Sequence, residues 1–242
     1  LESTSRGFAI FGGPYAGAGY GYSVSMAGDV NGDGLCDLLV GAPFFDFGGN
    51  IGYSYVVFGK TSSTPVFLVD VFGGTGGFGI LTTGASNAGS SLAGVGDVNG
   101  DGLADIAVGA PGDDFDNGFG ARLNSGMVYV VHGKTSGTNV QLTGIPANSN
   151  GFVIGGEAAS DGIGRAVSGA GDVNGDGLMD IVIGLGTKDV VAGTDAGRTY
   201  VVFGTTAAGG GATVDLTRIN GGTGGFAIDG EQANSGLGYS VS

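Results

Sequence analysis

Short apolar runs, rich in β-branched and aromatic residues, recur along this chain between glycine-rich stretches. Bounded by glycine, aspartate and asparagine, such runs read as strands. No stretch repeats its apolar residues at helical spacing over a useful length, so the pattern predicts an all-β chain. The runs also keep an order. Gly-Asp-Val-Asn-Gly-Asp-Gly-Leu begins at Gly28, Gly96 and Gly171. Behind it come Asp37-Leu-Leu-Val-Gly-Ala-Pro43, Asp105-Ile-Ala-Val-Gly-Ala-Pro111 and Asp180-Ile-Val-Ile-Gly184, then Tyr55-Val-Val-Phe-Gly59, Tyr129-Val-Val-His-Gly133 and Tyr200-Val-Val-Phe-Gly204. A Gly-Phe-X-Ile element closes each unit at Gly77, Gly151 and Gly225, and a short segment such as Gly21–Ser25 or Gly164–Ser168 precedes each acidic stretch.

Equivalent aspartates stand 68 residues apart (Asp29 to Asp97) and then 75 (Asp97 to Asp172). Four strands at such a period predict one four-stranded antiparallel sheet per repeat, as in a β-propeller blade. A sandwich would not repeat its internal order three times, and a β-helix has much shorter repeats. The phase divides the chain into 1–19, the last strand of a preceding blade; 20–88, 89–162 and 163–236, three whole blades; and 237–242, the first strand of a following blade. Three blades are too few to close a ring, for which four to eight are usual. Adjoining blades are therefore expected from the rest of a longer chain or from another copy.

Composition agrees. Of 242 residues 57 are glycine, but the absence of a three-residue period and only five prolines exclude collagen. With 41% hydrophobic and 12% charged residues, disorder is excluded as well. A net charge of −14 makes nucleic acid and anionic membranes poor partners. No apolar run of 18 residues exists to span a membrane. Leu1–Arg6 does not read as a signal peptide, and without an initiator methionine the chain is expected to begin inside a larger gene product. Cys36, the lone cysteine, excludes an internal disulfide and is expected to be a small buried apolar side chain.

Nine of the 22 acidic residues sit in three loops. Asp29, Asn31, Asp33, the Leu35 carbonyl and Asp37 offer oxygen at positions 1, 3, 5, 7 and 9 of the first. Asp97, Asn99, Asp101, Leu103 and Asp105 repeat the set, as do Asp172, Asn174, Asp176, Leu178 and Asp180. Carboxylates so crowded repel unless a cation lies between them. All-oxygen ligation on a flexible turn suits Ca2+ better than zinc, copper or magnesium, and three such ions would bring the net charge from −14 to −8. Asp, Asn and Gly also favour turns without metal, but three copies that each keep all three aspartates favour calcium. An EF-hand would carry glutamate at position 12; here that position is Val40, Val108 and Ile183, inside a strand pattern.

These motifs, Asp-Val-Asn-Gly-Asp-Gly-Leu-X-Asp followed by Gly-Ala-Pro and preceded by Gly-Tyr-Ser-Val-Ser, resemble the FG-GAP repeat of integrin α-subunit β-propellers and their bacterial relatives, over nearly the whole chain. The resemblance implies calcium in the turn joining the first two strands of a blade, with ligand recognition by loops on the opposite face. The third repeat departs, with Gly184-Leu-Gly186 in place of Gly-Ala-Pro.

No other residue nominates itself for catalysis, and no enzyme is expected. His132, the single histidine, occupies the place of Phe58 and Phe203 and reads as a strand residue. Glu157 and Glu231 match across repeats, which argues for architecture. The loops at 44–47, 113–116 and 187–196 vary most, and a protein or glycan ligand is expected there; Asp113, Asp114 and Asp116 form a weaker cation candidate. The functional expectation is a calcium-stabilised module for recognition or adhesion in a secreted or cell-surface protein. Two alternatives stand beside it: a passive structural array in an extracellular assembly, and the accessory domain of a secreted hydrolase.

Overall fold

The computed structural model describes residues 7–45, 51–82, 84, 86–116, 118–147, 150–206 and 213–242. Leu1–Arg6, and Asp46 and Phe47 of the first variable loop, lie outside them. After β1 (Ile10–Phe11) come β2 (Val24–Gly28), β3 (Asp37–Ala42), β4 (Tyr53–Val57), β5 (Val66–Phe67), α1 (Leu68–Phe72) and β6 (Gly77–Leu81). The second unit has β7 (Ser91–Gly96), β8 (Asp105–Ala110), a small hairpin of β9 (Phe115–Asp116) and β10 (Ala121–Arg122), β11 (Met127–Val131), β12 (Val140–Gln141), a 3₁₀ turn (Leu142–Ala147) and β13 (Gly151–Gly155). The third has β14 (Ala166–Gly171), β15 (Asp180–Leu185), β16 (Arg198–Val202), β17 (Thr213–Asp215), α2 (Leu216–Asn220) and β18 (Gly225–Asp229).

Four strands of each unit pair antiparallel, as β2-β3-β4-β6, β7-β8-β11-β13 and β14-β15-β16-β18. These are β-propeller blades. One strand per unit departs from the expected four. β5, β12 and β17 leave their own sheet and run parallel to an earlier strand: Val140 lies opposite Ile80 and Thr213 opposite Val153 on the outer strand of the sheet before, while Val66 lies opposite Ile10 of the lone strand β1. Each has only two or three residues and runs straight into a helical turn, too short for periodicity to show.

The blades stack face to face, and the period-2 pattern explains how. Along β8, Ile106, Val108 and Ala110 join Leu39, Val56 and Phe78 of the first blade. The intervening Ala107 joins Val128, Phe152 and Ile154 against Ile181, Ile183 and Tyr200 of the third. All six residues of β8 are buried for that reason; each such Val or Ile contributes about 1.5–3 kcal/mol. The first strands converge closely. A Cβ on Gly94 would stand 2.5 Å from the Met26 carbonyl oxygen, and one on Gly169 3.1 Å from that of Gly94.

At the first blade's other face Val24 and Met26 are each 69% exposed. Cys36 is exposed too, contrary to expectation. Its equivalents Ala104 and Met179 lie against Gly28 and Gly96 of the preceding blade, whereas no sheet lies before Cys36 among the described residues. Residues 237–242 form no strand, although Leu237 bridges Gly197 in parallel as Ile163 bridges Gly126.

The seam between blades leaves no room for side chains at certain glycines. A Cβ at Gly109 would stand 2.0 Å from the Gly164 carbonyl oxygen. Gly109→Ala is expected to cost about 1–3 kcal/mol by overpacking, read as a lower urea midpoint; an unchanged midpoint would show that the seam yields freely.

Candidate metal centre

Each acidic loop is the turn from the first to the second strand of its blade. A β-bulge sets its entry, since pairing skips between Met26 and Gly28, Gly94 and Gly96, and Gly169 and Gly171. The glycines there take φ of 81°, 72° and 74°, a conformation that favours glycine. The bulge turns the following aspartate into the loop.

Inside the first loop the Asp29 carboxylate accepts hydrogen bonds from the backbone N–H of Gly32 (2.8 Å), Asp33 (3.0 Å) and Gly34 (2.8 Å). Asn31 Oδ1 accepts from Asp33 N–H at 2.8 Å, and Asp33 Oδ1 from Leu35 N–H at 2.8 Å. The Asn31 amide donates to Asp33 Oδ2 at 2.9 Å. Asp97, Asn99, Asp101 and Leu103 repeat every one of these bonds, and so do Asp172, Asn174, Asp176 and Leu178, all at 2.6–3.1 Å.

The last aspartate of each loop behaves differently. Asp37, Asp105 and Asp180 are fully buried. Asp37 accepts from Val30 N–H at 2.9 Å and from Gly59 N–H, beyond the third strand, at 2.7 Å. Asp105 holds Val98 and Gly133 at 2.9 and 2.8 Å, and Asp180 holds Val173 and Gly204 at 2.8 and 2.9 Å. From the sequence these residues stand out only as candidate ligands. The signal for the second role was the glycine that follows each Tyr-Val-Val-X run, where a Cβ would meet a carbonyl oxygen of the acidic loop at 2.5–2.8 Å.

The electrostatics are one-sided. Burial raises the Asp37 carboxyl above its ordinary value; the N–H groups of Gly59 and Val30 oppose the shift, and the charges of Asp33 and Asp29 add to it. Burial pushes Asp105 up to about 7, with Asp101 and Asp97 again adding. None of the nine loop aspartates pairs with lysine or arginine among the described residues. The donor chemistry thus fits a hard cation. The side chains are nevertheless turned onto the loop's own N–H groups, and among the described residues no three Asp, Glu, His or Cys side chains meet in a metal-holding cluster.

The other candidates are architectural. His132 is buried, its ring 6.2 Å from Phe152. Glu157 lies in an ion network between the second and third blades, 3.1 Å from Arg198, 3.2 Å from Lys188 and 2.8 Å from the Tyr200 hydroxyl; Glu231 is exposed. In the variable loops Phe45 and Phe115 are buried, Asp113 accepts from the Tyr129 hydroxyl at 2.7 Å, and Asp114 accepts from Asn124 N–H at 2.6 Å. Phe44 and Asp116 are exposed.

Comparison with known proteins gives a consistent answer. The FG-GAP repeat family model matches residues 11–57 and 88–131. The chain is similar to integrin alpha-E of Mus musculus, 36% identical over 173 residues, covering 70% of this chain and 14% of that protein. Integrin alpha-5 of Xenopus laevis is 31% identical over 187 residues (74% and 16%). Integrin alpha-PS2 of Drosophila melanogaster is 33% identical over 184 residues (71% and 12%). The alignments thus span less than a fifth of each relative's length.

Removing a buried latch strands its N–H partners. Asp105→Ala leaves those of Val98 and Gly133 without an acceptor and is expected to cost about 2–6 kcal/mol, at about 1–3 kcal/mol for each orphaned group. Urea unfolding in chelator, which isolates this role from any metal, should show the loss; wild-type stability there would refute the latch.

Proposed function

The chain is a relative of the FG-GAP repeat family, and on that premise we propose that it is a calcium-stabilised β-propeller module for extracellular recognition or adhesion. One observation carries the reading. Three carboxylate loops with the same internal bonding stand at the same turn of three successive blades, with no basic partner among the described residues. Asp29, Asn31, Asp33, the Leu35 carbonyl and Asp37 would hold one ion, with the corresponding sets from Asp97 to Asp105 and from Asp172 to Asp180 holding two more. Calcium would supply the positive charge these loops lack.

Extracellular calcium modules bind at about 10⁻⁴–10⁻³ M, and loops of that affinity would be filled at the cell surface or in secretions. No helix of the described residues is long and apolar enough to cross a membrane. A protein or glycan ligand would be met by the loops after the second strands, on the face opposite the acidic turns, where Phe44 and Asp116 are exposed. The chain acts by binding, not catalysis.

At 1 mM calcium and a Kd near 10⁻⁴ M each loop would add about 1.4 kcal/mol. Three loops would add about 4 kcal/mol, on the order of 10 °C in Tm. Thermal melts with calcium and with chelator check this. Superimposable melts would contradict the assignment.

A further inference from the structure

Each acidic turn contains a labile bond that its own geometry imposes. Asn31-Gly32, Asn99-Gly100 and Asn174-Gly175 repeat at the same place in the three loops. The glycines take φ of 78°, 81° and 78°, a conformation that side chains rarely adopt. The next blade also leaves little space there: a Cβ on Gly32 would stand 3.1 Å from Leu103 Cδ2, and one on Gly100 3.2 Å from Leu178 Cδ2. Asparagine is thermolabile, most of all before glycine, where no side chain hinders the approach of the next backbone nitrogen to the asparagine Cγ. That nitrogen attacks Cγ, the new C–N bond closes a five-membered imide, and the side-chain nitrogen leaves as ammonia, taking the glycine N–H proton. Water then opens the imide on either side, giving aspartate or isoaspartate. All three glycines are exposed to solvent, so burial does not protect them.

The loops hold the attacking nitrogen instead. Gly32 N–H donates to Asp29 Oδ1 at 2.8 Å, Gly100 N–H to Asp97 Oδ1 at 2.6 Å, and Gly175 N–H to Asp172 Oδ1 at 2.7 Å. To attack, the nitrogen must give up this proton, and negative charge forming against a carboxylate is disfavoured as any like charge is. The asparagine is held as well. Asn99 Oδ1 accepts from Asp101 N–H at 2.8 Å, and its amide nitrogen, the leaving group, donates to Asp101 Oδ2 at 2.9 Å. We propose that the first aspartate of each acidic turn guards the Asn-Gly bond two residues on against deamidation. The guard matters to the packing of the blades. Isoaspartate at Asn31 would add a methylene to the main chain between the Val30 carbonyl, which accepts from Lys134 N–H at 2.8 Å, and the buried Asp37.

Peptide mapping by mass spectrometry tests this on the whole chain, aged in mildly alkaline buffer with chelator so that metal plays no part. The mass gained when ammonia is exchanged for water reports deamidation at each asparagine separately. Asp97→Ala is expected to speed the loss of Asn99 at least about tenfold, the factor that a hydrogen bond to a charged acceptor supplies. Asn31 and Asn174 in the same chain should keep their wild-type rates. Asp101→Ala, which loosens the same loop but leaves Asp97 on Gly100, should speed Asn99 less. Asp97→Asn keeps the shape of the side chain, and so the fold, without its charge; it should also speed Asn99. Wild-type loss of Asn99 in both Asp97 variants would overturn the proposal, as would a loss in Asp97→Ala no greater than in Asp101→Ala. Equal acceleration of all three asparagines in Asp97→Asn would assign the protection to the fold as a whole and overturn it too.

Discussion

A carboxylate taken fully out of water must have every oxygen answered, and that constraint organises this molecule. Asp37, Asp105 and Asp180 meet it by accepting from their own loop and from the glycine beyond the third strand. The loop so fixed then clips the next blade. The Asp29 and Val30 carbonyls accept from Ala104 and Lys134 at 3.0 and 2.8 Å, and those of Asp97 and Val98 from Met179 and Thr205 at 3.0 and 2.9 Å. A single acidic turn thereby sets the register within one sheet and between two. The exposure of its second residue follows: Val30 and Val98 are fully buried, while Val173, with no later blade over it among the described residues, is 48% exposed.

Much of this was legible in the sequence because the repeat multiplied weak signals. One Asp-Val-Asn-Gly-Asp-Gly stretch is a turn of many meanings; three of them, each ahead of a strand pattern, mark the junction of first and second strands. The third blade keeps the same strand order although Leu185 and Gly186 replace Ala and Pro and the family match covers neither. What stayed hidden depended on neighbours distant in sequence. Val140-Gln141 becomes a strand only because the preceding sheet offers an edge, and Val66-Phe67 only because β1 does. Cys36 opens the apolar run that becomes β3 but has no sheet to cover it among the described residues. The double duty of Asp37 appears only when Gly59, 22 residues away, donates to it.

The rim shows where equal scaffolds diverge. The tyrosine of each third strand stands in the same place, yet Tyr55 meets Tyr20, Tyr129 meets Asp113, and Tyr200 meets Glu157. One seam is aromatic, the next acidic, the third ion-paired. The shared parts hold the sheets in register, and differences of this kind give each blade a surface of its own.

On the function proposed above, every acidic turn takes up one calcium ion. Equilibrium dialysis against labelled calcium at millimolar concentration measures this directly. Three ions per chain are expected, falling to two when Asp101, exposed and outside the buried latch, is changed to alanine. A chain that retains no calcium under these conditions, or an Asp101→Ala variant that binds as much as the unaltered protein, would contradict it.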